Sequence, residues 1–202
     1  MTHDGTHDSG HGSSNGHGAN GAGTNTSAII AGAAGFGLGM LVSAGRKAAS
    51  QAPTYAAGDW FEGLKAEHKM ARKLLDALAA TGEDDTVKRA ALLFALQHAM
   101  GKHNVQEEYV VYCVLAEHGQ PDAAEALNTD HFGLKQGLYE LEMIGKEKRS
   151  GYLGKVAEIR AAFESHVREE EEETFPALQA SLTEEQNKAL TGRMNREGFK
   201  VA

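Results

Sequence analysis

The sequence predicts an all-α protein: a four-helix bundle with a short C-terminal helix, preceded by a disordered tail and a glycine-rich apolar helix. Three observations lead there. Apolar residues recur at alternating spacings of three and four along four separate stretches, the pattern of a core-facing helical seam. Each seam carries one histidine near its middle, and two of them add a glutamate one turn later. Between the stretches fall Gly82, Gly119 with Pro121, and the Gly145 to Gly151 run, where the chain has to reverse.

Residues 1–27 are Gly, Ser, Asn, Thr and His with almost no apolar side chains, too little to offset the entropy of ordering, so a disordered tail is expected. Its short repeat, Thr2-His-Asp-Gly and Thr6-His-Asp-Ser, reads as a solvated segment, with weak metal scavenging by His3, His7, His11 and His17 as the alternative. Residues 28–47 form a glycine-zipper-like segment. Ala28 to Gly45 is uncharged, Ala31, Gly35, Gly39 and Ser43 recur every fourth position, and Arg46-Lys47 follows. Such a small-residue stripe lets two helices approach closely in a bilayer, but the run barely reaches spanning length and is only weakly apolar. A membrane-inserted or membrane-associated helix, a self-associating helix and a flexible linker all remain open for 28–45. Asp4, Asp8 and the absence of basic residues before it argue against a secretory signal. If the segment spans, Arg46 and Lys47 put the rest of the chain on the cytoplasmic side. The expected location is therefore cytoplasmic, with membrane association through this segment. Residues 48–58 read as a linker.

The bundle is expected over residues 59–195. Asp59 with Glu62 marks the first N-cap, the seam is Leu64, His68, Ala71, Leu75 and Leu78, and Gly82 stops the helix. The second helix is predicted from about Asp85 to Glu117 along Leu96, Met100, His103, Glu107, Val110 and Val114, with a local kink expected at Gly101. His98 and His118 fall off the seam and read as structural or exposed. Pro121 suits the first turn of the third helix, which carries Leu127, His131, Leu134, Leu138 and Leu141 to about Ile144. The fourth begins near Tyr152, carries Val156, Ile159, Phe163, His166, Glu170 and Ala177, and should bend or end around Pro176. Thr183 with Gln186 predicts a capping box opening a tail helix to about Met194, packed across one end of the bundle. Residues 196–202 read as a tail.

The 202 residues, 41% hydrophobic, suffice for one domain with appendages, and the formal charge of −8 without a basic stripe excludes a nucleic-acid footprint. Cys113, the single cysteine, rules out thiolate metal sites and reads as a small buried packing residue. The chemistry lies in an internal repeat. His103-Asn-Val-Gln-Glu107-Glu108 lines up with His166-Val-Arg-Glu-Glu170-Glu171, and His68 and His131 stand alone on the other two seams. Histidine and glutamate one turn apart reach the same point beside a helix, and a buried carboxylate needs a compensating cation. Four imidazoles and two carboxylates exceed one tetrahedral zinc and suit iron, manganese or zinc in pairs, with two glutamates able to bridge. Two ions, each taking two histidines and sharing both glutamates, is the economical count. His68 and His103 are expected on one ion and His131 and His166 on the other, from helix adjacency.

The ordered pattern His, His-x-x-x-Glu, His, His-x-x-x-Glu, with Glu-Glu and Phe-Pro after the last histidine, resembles the hemerythrin-like proteins, the HHE cation-binding domain, over roughly Asp59 to Leu190. The resemblance implies an up-down-up-down bundle and a non-haem diiron centre, two iron ions held by His68, His103, Glu107, His131, His166 and Glu170. It also implies a small ligand, dioxygen, nitric oxide or peroxide. Oxygen carriers of the family have a further histidine where this chain has Lys135, and a carboxylate where it has Glu171, which stays open as an alternate bridge. Tyr109, Tyr112 and Tyr139 lie on ligand-bearing helices and could fill the gap, although packing with the hydroxyl at the surface is the expected role. A binding or sensing protein, a peroxide- or nitric-oxide-scavenging enzyme and an iron-holding module all remain compatible.

Overall fold

The computed structural model describes Gly45, Lys47 and residues 51–202. The His-rich tail and nearly all of the glycine-rich segment lie outside the described residues. Among the described residues no helix is long and apolar enough to cross a membrane.

The described residues are helical throughout, without strands. After a short helical stretch over 51–56 come α1 (Trp60–Ala79), α2 (Thr86–Gln106), a π-helical segment π1 (Glu107–Val111) and α3 (Tyr112–Glu117). Then follow α4 (Pro121–Lys146), α5 (Tyr152–Glu169), a second π-helical segment π2 (Glu170–Thr174), α6 (Phe175–Ser181) and α7 (Glu184–Val201). Since α2, π1 and α3 run on without a break, as do α5, π2 and α6, the bundle has four long helices.

Their ends follow the local chemistry. The Asp59 side chain accepts from the Glu62 amide at the start of α1, and Thr183 and Gln186 close a full capping box on α7. Pro121 sits in the first turn of α4. Gly119 and Gly151 supply φ values of +85° and +95° at two of the three reversals, a region closed to most side chains. Several details differ from the sequence pattern. Residues 51–56, read as linker, are helical. The α7 helix runs on to Val201 rather than giving way to a tail, and the Lys47 ammonium meets the carbonyls of Phe199 and Lys200 at 3.3 and 2.5 Å, where a helix end favours a cation. Helix α2 passes through Gly101, and the irregularity falls later, at Glu107.

The two π segments are the main departure. Each wide turn inserts one extra residue, closed by the Tyr112 amide on the Glu107 carbonyl and the Phe175 amide on the Glu170 carbonyl. The interior set therefore advances by one. Tyr112 and Leu115 point inward, as do Phe175 and Leu178, whereas Ala177, placed on the seam by a 3.6 period, is exposed. Cys113 is likewise turned out and is exposed, not a buried packing residue. Helical structure continues past Pro176 to Ser181, because the proline enters the first turn of α6, directly after the widened turn.

Two apolar clusters fill the bundle. One contains Trp60, Leu64, Val110, Leu115, Leu127, Phe175 and Leu178; the other contains Leu75, Leu96, Leu138, Ile159 and Phe163. Following the chain, α1 leads from the first cluster to the second, α2 returns, α4 leads out again and α5 returns, which is up-down-up-down topology. Helix α7 closes the first end. Trp60 donates through Nε1 to Asn187 at 2.9 Å and packs edge-on against Phe175, while Leu190 and Met194 join the cluster. Fully buried, Trp60 joins α1, α6 and α7, so Trp60→Ala is expected to destabilise the fold by about 3–5 kcal/mol in denaturant unfolding.

Candidate metal centre

All six residues singled out in the sequence lie between the two apolar clusters. His68 comes from α1, His103 from α2, His131 from α4 and His166 from α5, while Glu107 and Glu170 are the first residues of π1 and π2. Each is at least 95% shielded from solvent. Their donor atoms fall into two overlapping tetrads, His68, His103, Glu107, Glu170 and Glu107, His131, His166, Glu170, each with all ligand atoms within 4.8 Å of one another. Both glutamates belong to both tetrads. The histidines divide as helix adjacency suggested.

The inner distances are short. His103 Nε2 lies 2.9 Å and His131 Nε2 3.2 Å from Glu107 Oε2. His68 and His166 place Nε2 3.3 and 3.4 Å from Glu170 Oε2. Two imidazole nitrogens, Nε2 of His68 and Nε2 of His103, face each other at 3.2 Å.

Each histidine also turns its outer nitrogen to an acid. Nδ1 of His68 meets Glu171 at 2.8 Å and Nδ1 of His131 meets Glu108 at 2.9 Å. Nδ1 of His103 meets Glu67 at 3.3 Å, and Nδ1 of His166 lies 3.5 Å from Asp130. In the three rings hydrogen-bonded this way, His68, His103 and His131, the carboxylate can only accept, so Nδ1 carries the proton in the neutral ring and leaves a lone pair on Nε2. The interior then holds three inward lone pairs, the His166 ring and two carboxylates. Glu107 Oε1, Glu170 Oε2 and both His166 ring nitrogens are buried without a hydrogen-bond partner. This acceptor-rich set is what a divalent cation requires, and these residues fit a metal site.

The electrostatics agree. Burial pushes the Glu107 carboxyl up, but His103 and His131 outweigh it and hold the group well below the usual carboxylate range. Burial lowers His68, His103 and His131, yet the adjoining acids raise all three above an ordinary imidazole. For His166, burial wins and the ring is lowered, consistent with its longer reach to a half-exposed Asp130.

Tyr112 was the residue that sequence reasoning misplaced. Expected to pack with its hydroxyl at the surface, it is 2% exposed and puts that hydroxyl 2.6 Å from Glu170 Oε1, 3.1 Å from His131 Nε2 and 3.3 Å from Glu107 Oε2. Its one proton can serve only one of these acceptors, the nearest being Glu170. Tyr109 and Tyr139 are exposed, away from the interior, and Lys135 pairs with Glu108 at 2.7 Å. Glu171 lies on the outer nitrogen of His68, leaving Glu170 inside. The outer acids were also missed, although the chain signals them: Glu67-His68 and Asp130-His131 repeat as acid-histidine pairs, and Glu107-Glu108 and Glu170-Glu171 as paired acids.

Residues 61–178 match the hemerythrin HHE cation binding domain. That is more than half of the chain, and the chain belongs to this family. It is similar to an uncharacterised hemerythrin-like protein of Schizosaccharomyces pombe, 25% identical over 134 residues that cover 64% of this chain and 64% of the relative. The chain thus matches less than two thirds of that relative's length. No solved structure matches the chain at a significant level.

Burial and the two carboxylates together push the Tyr112 phenol well above the ordinary tyrosine range. In a spectrophotometric titration of the metal-free protein, Tyr112→Phe is expected to remove a phenol that ionises later than free tyrosine, read as the difference from wild type.

Proposed function

We propose that this chain holds two non-haem iron ions at His68, His103, Glu107, His131, His166 and Glu170 and uses them to bind or sense a small ligand such as dioxygen, nitric oxide or peroxide. The observation that carries the reading is the convergence of four imidazoles and two shared carboxylates on one buried space. Iron supplies redox chemistry and an open coordination position. The chain would supply the rest: two histidines for each ion, Glu107 and Glu170 within reach of both, outer acids that orient His68, His103 and His131, and apolar clusters that exclude bulk water.

A scavenging enzyme is the second reading, and Tyr112 favours it. A phenol held at the centre by Glu170 is a proton donor beside the place where a ligand would bind, and the chain has one nitrogen ligand fewer than oxygen carriers of the family. Reversible binding predicts an absorption band that appears with dioxygen and disappears on its removal. Turnover predicts sustained consumption of peroxide or nitric oxide, reduced at least tenfold in Tyr112→Phe.

Anaerobic loading with ferrous iron is expected to give two ions per chain. Because Glu107 and Glu170 each belong to both tetrads, Glu107→Ala or Glu170→Ala should lose both ions, whereas His68→Ala should weaken chiefly one. Metal content after gel filtration reads this directly, and a wild-type chain that retains no transition metal would sink the proposal. The raised His68, His103 and His131 must give up protons to ligate, so metal affinity should rise with pH through their titration, with protons released on loading. Calorimetric titration in buffers of different ionisation enthalpy measures that release.

A further inference from the structure

The two halves of the bundle repeat each other, and the repeat fails on one side. Glu67 of α1 is hydrogen-bonded to His103, whereas Asp130 of α4 at the matching place only faces His166 at 3.5 Å, and their surroundings differ. The Asp130 side chain is 49% exposed and its neighbour across the repeat, Ser165, is exposed as well. The Glu67 side chain is only 9% exposed, and the residue matching Ser165 is Lys102, whose ammonium is buried and lies 2.7 Å from Glu67 Oε1.

Lys102 in turn donates to Gln51 Oε1 at 3.0 Å and Thr54 Oγ1 at 3.1 Å, both on the helical stretch 51–56. Thr54 donates to Glu67 at 2.5 Å, and Gln51 reaches Asn195 of α7 at 3.2 Å. With its amide nitrogen turned toward the acid, Gln106 donates to both Glu67 oxygens at 2.9 and 3.0 Å. Two glycines make room: a Cβ at Gly198 would fall within 2.8 Å of the Gln106 and Gln51 side chains, and one at Gly63 would meet the Thr54 methyl at 3.0 Å.

We propose that Glu67 is a positioning residue for His103, braced by Lys102, Gln106, Gln51 and Thr54, and that this buried strut couples the 51–56 helix to the metal position of His68 and His103. It rests on the metal-pair reading above. A carboxylate on the outer nitrogen fixes ring orientation and strengthens the imidazole as a ligand. At Asp130 water can replace a lost partner; at Glu67 only the strut can. Coupling of this kind is reciprocal: an ion that holds His103 in place also holds Glu67, and through it the segment leading into the bundle.

The test uses the full chain and cobalt(II), which reports coordination by its visible spectrum without oxidation. Wild type is expected to bind two ions. Glu67→Gln should weaken one of them by about 10- to 100-fold and leave the other within about threefold. Thr54→Val, which touches no ligand, should weaken the same position severalfold, and Asp130→Asn should change neither by more than about threefold. In hydrogen exchange, cobalt should slow the amides of residues 51–56 in wild type and not in Glu67→Gln, with circular dichroism verifying that each variant folds. Two undiminished sites in Glu67→Gln, or exchange at 51–56 indifferent to cobalt in wild type, would overturn the strut alone. A wild-type chain that binds no cobalt would overturn the metal reading and the strut with it.

Discussion

The arrangement of this protein depends on one unfavourable interaction: acceptors facing acceptors in a space closed to water. Four imidazole nitrogens and two glutamates meet between two apolar clusters, where charged groups left alone would cost several kcal/mol each. Protons answer that cost in the metal-free chain, which is why three of the histidines are raised above ordinary imidazole. Cations answer it better, because they satisfy all the inward lone pairs at once. The apolar clusters on either side keep solvent from doing so instead.

Much of this was legible in the sequence, for definite reasons. A helix period is short and regular, so a histidine among leucines at spacings of three and four is seen at once, and the pairing of histidines was read from which helices are adjacent in sequence. What was not legible came from the π segments. A single inserted residue at Glu107 and again at Glu170 leaves no mark in composition, yet it turns Tyr112 in and Cys113 and Ala177 out. The phenol of Tyr112 could therefore not be placed from a 3.6 period. The outer acids were hidden for a different reason: each serves a histidine on another helix, and only tertiary packing brings them together.

The broken repeat gives the two His/Glu tetrads different surroundings. Near His166 the outer acid is half in solvent, and near His131 stands a phenol with no counterpart, since the repeat places Phe175 at the matching offset. Near His103 the outer acid is enclosed by residues from α1, α2 and the 51–56 helix, with α7 behind. A centre built from a nearly symmetric bundle thereby acquires a fixed side and a freer side.

The outer acids also make a closed circuit. Glu67 of α1 holds the histidine of α2, Glu108 of π1 that of α4 and Glu171 of π2 that of α1, each by a hydrogen bond, while Asp130 of α4 faces that of α5 at 3.5 Å. None of these four rings turns its outer nitrogen to an acid of its own helix. A chain with three helices docked and the fourth adrift would leave the circuit cut and the cavity wet, so capture of metal certifies that the last helix has arrived.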